Sequence, residues 1–218
     1  MWRDGQAVPT ASSDRTQPRI PNAERSAATR ARLLDATLEC LVELGWAGTS
    51  TTEVVRRAGV SRGAQVHHFP TKEDLVLATV KRLTARRLDE YREAFRSLPE
   101  DHRTADAGFD LLRAACSGPT WEIWLELAVA SRTNPALRER FVEMERHFWD
   151  AAVQVQRDLF PYTADDEALA RLVVRFAFCF VDGMSVARMI GADEAELDAV
   201  ADAFKLVTAP FTGQGETS

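Results

Sequence analysis

Apolar residues recur at intervals of three and four through most of this 218-residue chain, as they do along one face of an α-helix. Residues 24–45 show the pattern first, with Leu34, Leu38 and Leu41 among its apolar positions. After residue 104 it returns in segments that are separated by glycine, proline or asparagine: 104–116, 119–132, 135–159, 165–190 and 193–208. No stretch sustains the alternation of a strand. We therefore predict an all-α protein of about nine helices.

Two short helices are predicted within residues 49–75. Ser50, with a glutamate three residues later, has the spacing of a capping box, and the helix that it starts ends at Gly59, which can turn sharply. Ser61 is a typical N-cap for a second helix, which ends before the following proline. Two short helices joined by a glycine turn form a helix-turn-helix, whose second helix has the shape to enter a DNA major groove. The same pattern also occurs without DNA contact, so by itself it leaves DNA binding open.

A fourth helix is predicted to follow directly. Thr71 is a typical N-cap with Asp74 at the third helical position, and apolar residues continue from Val76 to Phe95. A helix of this length is too long for the small amino-terminal unit alone. Its far end should lie in a second domain, which makes it the mechanical link between the two.

The charge of the chain is unevenly distributed. Residues 1–90 contain 14 Lys and Arg against 11 Asp and Glu, a net charge of +3, whereas residues 91–218 contain 13 against 22, a net charge of −9. The two parts give the formal net charge of −6. A basic amino-terminal part joined to an acidic remainder suits a protein of which only one end contacts a polyanion such as DNA.

Several classes of protein are disfavoured by the sequence. The longest apolar run, 172–181, is interrupted by Arg175 and is too short to span a bilayer, and no export leader is recognisable. Cys40, Cys116 and Cys179 are too widely spaced for a disulfide framework or a metal knuckle, which fits a reducing cytoplasm. A phosphate loop, a metal-ligand cluster and a nucleophile elbow are all missing, so we expect neither an enzyme nor a cofactor.

Residues 29–81 resemble the amino-terminal domain of the TetR (tetracycline repressor) family. The resemblance is carried by the first helix, by Trp46 after a glycine, and by T-S/T-x-x-E, A-G-V-S-R-G and H-F-P-T-K-E-D-L in the family's order and spacing. The chain departs from the family pattern at Val55, at Ala64, where a threonine is common, and at Gln65-Val66, where leucine and tyrosine are common. The resemblance implies a DNA-binding regulator, while these departures affect its sequence preference.

The resemblance implies phosphate contacts by Thr51, Ser61 and Lys72, and base contacts by the start of the recognition helix. Arg62 can donate two hydrogen bonds to guanine, and Gln65 can pair with adenine. His67 and His68 diverge by about 100 degrees on a helix and cannot share a metal, so we assign His67 to DNA and leave His68 open between DNA contact and packing. The full set of predicted DNA contacts is Thr51, Thr52, Ser61, Arg62, Gly63, Ala64, Gln65, His67, His68 and Lys72.

The resemblance also implies a ligand cavity in the second domain. Aromatic residues at helical spacing are more often core than pocket, but clefts between helices are usual sites for small molecules. We predict a cavity bounded by Tyr91, Phe95, Trp121, Trp124, Phe148 and Phe176. Glu126, His147 and Arg175 are candidate polar contacts.

Helix 165–190 is apolar nearly all round between residues 172 and 181, and helix 193–208 has one apolar stripe, so we predict that the two helices pair with their copies across a two-fold axis. The predicted interface residues are Phe178, Val181, Leu197 and Phe204. The alternative is that both apolar faces are buried within one chain.

These expectations describe a cytoplasmic homodimeric regulator, most simply a repressor that binds a palindromic operator and is released by a small, largely apolar ligand, without a membrane partner. Sequestration of a small molecule without DNA binding is the alternative. The predicted parts are a disordered extension (1–22), a helix-turn-helix domain (23–80), a ligand-binding and dimerisation domain (81–211) and a loose tail (212–218).

Overall fold

The computed structural model describes residues 22–211, in which nine α-helices are joined by short connections and 3-10 turns. The helices are α1 (Asn22–Gly48), α2 (Thr51–Ala58), α3 (Arg62–His68), α4 (Lys72–Arg96), α5 (Ala105–Ala115), α6 (Pro119–Ser131), α7 (Pro135–Leu159), α8 (Glu167–Met189) and α9 (Glu194–Thr208). The all-α prediction is confirmed. The extension and tail predicted at 1–22 and 212–218 lie outside the described residues, except for Asn22, which begins α1.

Local capping fixes where the helices begin. The side chains of Ser50, Ser61 and Thr71 each accept a backbone N–H of the first turn of the helix that follows. Thr71 and Asp74 form a reciprocal capping box at the start of α4. Gly59 ends α2 in the left-handed conformation, with φ of 60°, where a residue without Cβ is favoured. Each of these elements was predicted from residues within a few positions of the helix end.

The buried apolar residues form two clusters. The smaller one joins α1, α2 and α4, with Leu33, Val54 and Leu75 at its centre. The larger one is formed by residues of all the helices from α4 to α9, among them Val80 of α4, and it also includes Leu41 of α1. Helices α1 and α4 therefore contribute to both cores, and the amino-terminal unit is packed against the second domain.

The connection between the two domains is broader than α4 alone. Trp46, near the end of α1, donates its backbone N–H to a Glu126 carboxylate oxygen of α6 at 2.9 Å. The Arg140 guanidinium of α7 pairs with Asp74, which forms the capping box of α4 with Thr71. The expectation that α4 is the sole mechanical link is wrong, because α6 and α7 also bond to the amino-terminal unit.

Candidate DNA interface and ligand cavities

Helix α3 presents one face to solvent. Arg62, Gly63, Val66 and His67 are exposed, and their spacing of three and four places them on the same side of the helix. The Ser61 hydroxyl accepts the Ala64 N–H at 3.2 Å and so fixes the start of α3. The arrangement leaves a short, solvent-facing helix whose amino-terminal half can approach a flat or grooved partner.

Contacts within the helix-turn-helix position Arg62. Its guanidinium donates to the Thr51 hydroxyl of α2 at 3.2 Å, which keeps the exposed side chain close to the start of α2. Thr52 is exposed beside it, whereas Thr51, Ala64 and His68 are half-buried. The structure therefore groups most of the predicted DNA contacts on one surface, with Gln65 as the exception.

Gln65 points inward. Its side chain is 1% exposed, and its amide donates to the Phe69 carbonyl, while Oε1 has no hydrogen-bond partner. The interpretation of Gln65 as a base-reading residue is wrong in this structure, because a buried amide cannot reach a base edge. The Gln65 side chain instead bonds to the carbonyl of Phe69 at the end of α3.

We expect Gln65→Ala to lower the free energy of unfolding by about 2 kcal/mol, because it removes a buried side chain and its bond to Phe69. Urea denaturation measures this change. DNA affinity should fall equally for all sequences, since no base contact is lost. A loss confined to one base position per half-site would contradict the inward placement.

Val66 was missed as a candidate contact, although it occupies the same exposed face and is 47% exposed. It lies four residues after Arg62, so helical periodicity from Arg62 could have identified it. A valine on this face can contact the methyl group of thymine. Val66 therefore joins Arg62 and His67 as a candidate for direct contact with bases.

Lys72, at the start of α4, is half-buried. Its ammonium donates to the Trp46 carbonyl at 2.5 Å and lies 4.0 Å from the centroid of the Trp46 ring. Burial lowers the pKa of Lys72, an effect that Glu73 and Glu126 partly oppose. The ammonium has three protons, so the bond to Trp46 leaves two for another acceptor. The contacts with the Trp46 carbonyl and ring therefore hold the Lys72 ammonium in one position.

Two arginines of α2 are paired with acidic residues. Arg56 and Arg57 both donate to Glu53, and these bonds hold the pKa of Glu53 at about 2. Arg57 also pairs with Glu43 of α1 at 2.8 Å. The positive charge of α2 is therefore largely balanced within the protein, which leaves Arg62 as the more available cation of the α3 surface.

Two apolar cavities occur among the described residues of the second domain. The Trp121 cavity, of about 50 Å³, is bounded by Trp121, Phe148 and Phe178 and by Arg87 and Tyr91 of α4. The Phe204 cavity, of about 340 Å³, is bounded by Phe109, Phe160, Phe176 and Phe204. Tyr91, Leu112, Gln156 and Ala177 line both, so the cavities share a wall.

The single predicted cavity is therefore divided. Tyr91, Trp121 and Phe148 line the Trp121 cavity, and Phe176 lines the other. Phe95 and Trp124 belong to neither lining. Phe95 packs against Phe160 with ring centroids 4.8 Å apart, and Trp124 packs between Phe141 and Phe148. Their assignment as cavity residues is wrong, because neighbouring aromatic rings fill the space around them.

The candidate polar contacts also have other partners. Glu126 bonds to Trp46, Arg175 lies over the Trp149 ring at 3.8 Å, and His147 is exposed. The polar side chains that line the Trp121 cavity are Arg87, Tyr91 and Gln156. The Phe204 cavity is lined by Tyr91 and Gln156 as well and, in addition, by Asp106, Tyr162, Lys205 and Thr208. Sequence reasoning named only Tyr91 among them, since nothing in the spacing of Arg87 or Gln156 distinguishes an inward from an outward side chain.

The four predicted interface residues are buried within the protomer. Phe178 contacts Trp121, Phe148 and Trp149, and Phe204 stacks on Phe109 with ring centroids 4.3 Å apart. Val181 and Leu197 are 1% and 4% exposed. Their assignment to a surface that a second chain could contact is wrong, and for these side chains the alternative of burial within one chain applies.

A different face of α8 is exposed and apolar. It consists of residues spaced alternately by four and three: Leu172, Phe176, Cys179, Gly183, Val186 and, directly after the end of the helix, Ile190. Leu172 and Ile190 are 66% and 83% exposed. Helix α9, which contacts α8, exposes Val200, Leu206 and Val207. We call the α8 set the α8 stripe; its spacing is that of a helix that packs along another helix.

The fold and the exposed α3 surface define a helix-turn-helix protein with a second, all-helical domain. Residues 33–79 match the model of the family described as bacterial regulatory proteins, tetR family. The chain is 33% identical over 189 residues to the HTH-type transcriptional regulator CymR of Pseudomonas putida, which covers 84% of this chain and 90% of CymR. The chain belongs to the TetR family of bacterial transcriptional regulators.

Further similarities agree with this membership. The chain is 35% identical to an uncharacterized HTH-type transcriptional regulator of Mycobacterium tuberculosis (strain ATCC 25618 / H37Rv) over 116 residues, 53% of this chain, and spans 60% of that relative's length. A transcriptional regulator from Rhodococcus sp. Rha1 has a similar fold, with a TM-score of 0.64 and 19% identity over 83% of this chain and 96% of the other. Within residues 22–211, no helix is long and apolar enough to cross a membrane.

Proposed function

We propose that this protein is a homodimeric repressor that binds a palindromic DNA operator and is released by a small, largely apolar molecule. The exposed face of α3 is the observation that carries the proposal. In a major groove this face would bring Arg62 to guanine O6 and N7 and Val66 to a thymine methyl group. The Ser61 hydroxyl would lie near phosphate at the same time.

The α8 stripe, together with the exposed apolar residues of α9, is the surface that we assign to a second copy of the chain. A two-fold axis would place the stripe against itself, and the four helices would form a bundle. A dimer would carry two α3 helices, which supports an operator of two half-sites. Their spacing would be about 34–36 Å or a multiple of it.

Release by a ligand requires that the ligand bind one arrangement of the two α3 helices better than the other. Three helices that line the cavities also contact the amino-terminal unit. Helix α4 carries Tyr91 and begins at the capping box, α6 carries Trp121 and bonds to Trp46, and α7 carries Phe148 and bonds to Asp74. A shift of any of them on ligand binding would move α3 relative to its partner in the dimer.

Selection of bound sequences from a random DNA pool tests the proposal. A palindromic consensus, with affinity that falls steeply as salt rises, is the expected result, because phosphate contacts release counterions. The absence of binding at any salt concentration would instead favour sequestration of a small molecule. A consensus without two-fold symmetry would contradict the proposal that a dimer binds two equivalent half-sites.

Two substitutions separate base contacts from phosphate contacts. We expect Arg62→Ala to cost about 1–3 kcal/mol of binding free energy, concentrated at one position per half-site. Lys72→Ala should weaken all sequences alike. Fluorescence anisotropy with the consensus and with each single-base variant measures both effects. If Arg62→Ala weakens every variant by the same factor, Arg62 contacts backbone and not bases.

A further inference from the structure

The polar groups of the Trp121 cavity have a common chemical character. Apolar side chains form most of the lining, and Arg87, Tyr91 and Gln156 are its principal polar members. No aspartate or glutamate is among the described residues that line it. Asp182 is nearby, but its carboxylate accepts the Trp121 indole N–H at 2.8 Å from outside the lining. The cavity therefore offers hydrogen-bond donors without a competing carboxylate.

Arg87 has a charge that its neighbours neutralise only in part. Its guanidinium donates to the neutral Thr120 hydroxyl at 3.0 Å, and its nearest carboxylate oxygen, on Glu90, is 3.7 Å away. Glu90 forms its closer contact with Arg86, at 2.6 Å. Two arginines thus share one carboxylate, and Arg87 is the more distant of the two. A guanidinium in this position can accept a second anionic partner in bidentate geometry.

Tyr91 supplies a second donor. It lies one helical turn after Arg87, so both side chains occupy the same face of α4. The residue is half-buried and lines both cavities, and its hydroxyl has no hydrogen-bond partner among the described residues. A ligand oxygen in the cavity could therefore accept a hydrogen bond from this hydroxyl without displacing another partner in the protein. Burial also raises the pKa of Tyr91, which keeps the phenol protonated as a donor.

Gln156 faces these two residues from α7. One of its amide protons is donated to the Tyr162 hydroxyl at 3.3 Å, and the other is not donated to any described residue. Three side chains from two helices, Arg87, Tyr91 and Gln156, can therefore donate to one small group between them. The adjoining Phe204 cavity, beyond the wall that Tyr91 and Gln156 share, has the volume and the aromatic lining to hold an apolar body.

We propose that the effector is an organic acid, whose carboxylate is bound by Arg87 and Tyr91 in the Trp121 cavity and whose apolar body extends towards the Phe204 cavity. The inference rests on the proposed function and names the class of its ligand. A cationic ligand would be repelled by Arg87, and a neutral one would leave the guanidinium without a better partner than it has now. Because Arg87 and Tyr91 both belong to α4, the carboxylate would act directly on the helix that leads to the amino-terminal unit.

Calorimetric titration of the DNA-free protein with matched acids and amides tests the inference. The probes are phenylacetate, 4-phenylbutanoate and cyclohexanecarboxylate, each compared with its primary amide, which has a similar shape without the charge. For the wild-type protein we expect at least one acid to bind about tenfold or more tightly than its amide, which corresponds to about 1.4 kcal/mol.

Variants identify the residue responsible. Arg87→Gln should reduce the preference for the acid to less than about threefold, and Arg87→Lys should retain part of it because the charge remains. Arg92→Gln is the matched control, since Arg92 is on the same helix but pairs with Asp89 outside the cavity linings. Circular dichroism and thermal denaturation verify that each variant is folded.

The absence of a preference for acids across the panel would overturn the inference, as would a preference that survives Arg87→Gln. Neither result depends on DNA, so the outcome is separate from that of the proposed function. Release of operator DNA by neutral compounds alone would leave the repressor proposal intact and exclude the acid. If the protein binds acids but no DNA, the organic-acid inference stands and the repressor proposal is wrong.

Discussion

Val186→Glu is expected to weaken self-association by about 100-fold or more, because it places a carboxylate within the apolar α8 stripe. Val186 is 47% exposed in the protomer, so the substitution leaves the protomer core unchanged. An interface on a two-fold axis contains each residue twice. Dimer formation would therefore remove two unpaired carboxylates from water. Desolvation of an unpaired charge costs several kcal/mol, against about 2.7 kcal/mol for a factor of 100.

Sedimentation over a range of protein concentrations measures this effect, and Val142→Glu is its control. Val142 is a comparably exposed valine, at 53%, but it lies on α7 outside the α8 stripe. Operator affinity should fall with dimerisation in the Val186 variant and stay unchanged in the other. Equal behaviour of the two variants would show that the second copy, if it binds, uses another surface. Phe178→Glu is unsuitable for this purpose, because Phe178 is buried and its replacement would unfold the protomer.

Gly45→Ala is expected to lower the free energy of unfolding by about 2–4 kcal/mol, as the sum of two effects. Gly45 has φ of 65° and ψ of −177°, a combination essentially restricted to glycine that costs a residue with Cβ about 1–3 kcal/mol. A Cβ at this position would also lie 2.8 Å from a Glu126 carboxylate oxygen. The carboxylate cannot retreat freely, because it accepts the Trp46 N–H.

Gly59→Ala provides a control for positive φ without crowding, since Gly59 has φ of 60° and ψ of 38°, in the left-handed α region, and nothing within 4 Å of the added Cβ. Urea denaturation should show the strain alone, about 1–2 kcal/mol, for Gly59→Ala. In a Glu126→Ala background, Gly45→Ala should cost less than in the wild type, because the crowded carboxylate is gone. If Gly45→Ala costs as much in the Glu126→Ala background as in the wild type, the contact between α1 and α6 is too loose to transmit movement.

The same contact has a functional consequence. Helix α6 carries Trp121, which lines a cavity, and Glu126, which bonds to the end of α1, five residues further along the same helix. The carbonyl of Trp46 in turn accepts a bond from Lys72. A displacement of α6 by a ligand would therefore reach the start of α4 through Trp46, in addition to the direct route along α4.

The sequence by itself determined the helices, their ends and the family. Ser50, Gly59, Ser61 and the pair of Thr71 and Asp74 act on the backbone within about four residues, so their effect can be predicted from spacing alone. The proline at the start of α6 and the asparagine before α7 are equally local signals. The TetR resemblance is carried by the same residues, which is why the fold class and the exposed start of α3 were predicted.

Only the tertiary structure decided which side of each helix is buried. Helix α8 is apolar nearly all round between residues 172 and 181, and neighbouring positions on a helix point about 100 degrees apart. Phe176 and Phe178 are therefore equivalent in the sequence, yet Phe178 packs against Trp121 and Trp149, and Phe176 is half-exposed. Gln65 was misplaced for the same reason. Burial depends on which helices pack on either side of a residue, and contacts between residues far apart in the chain set that arrangement.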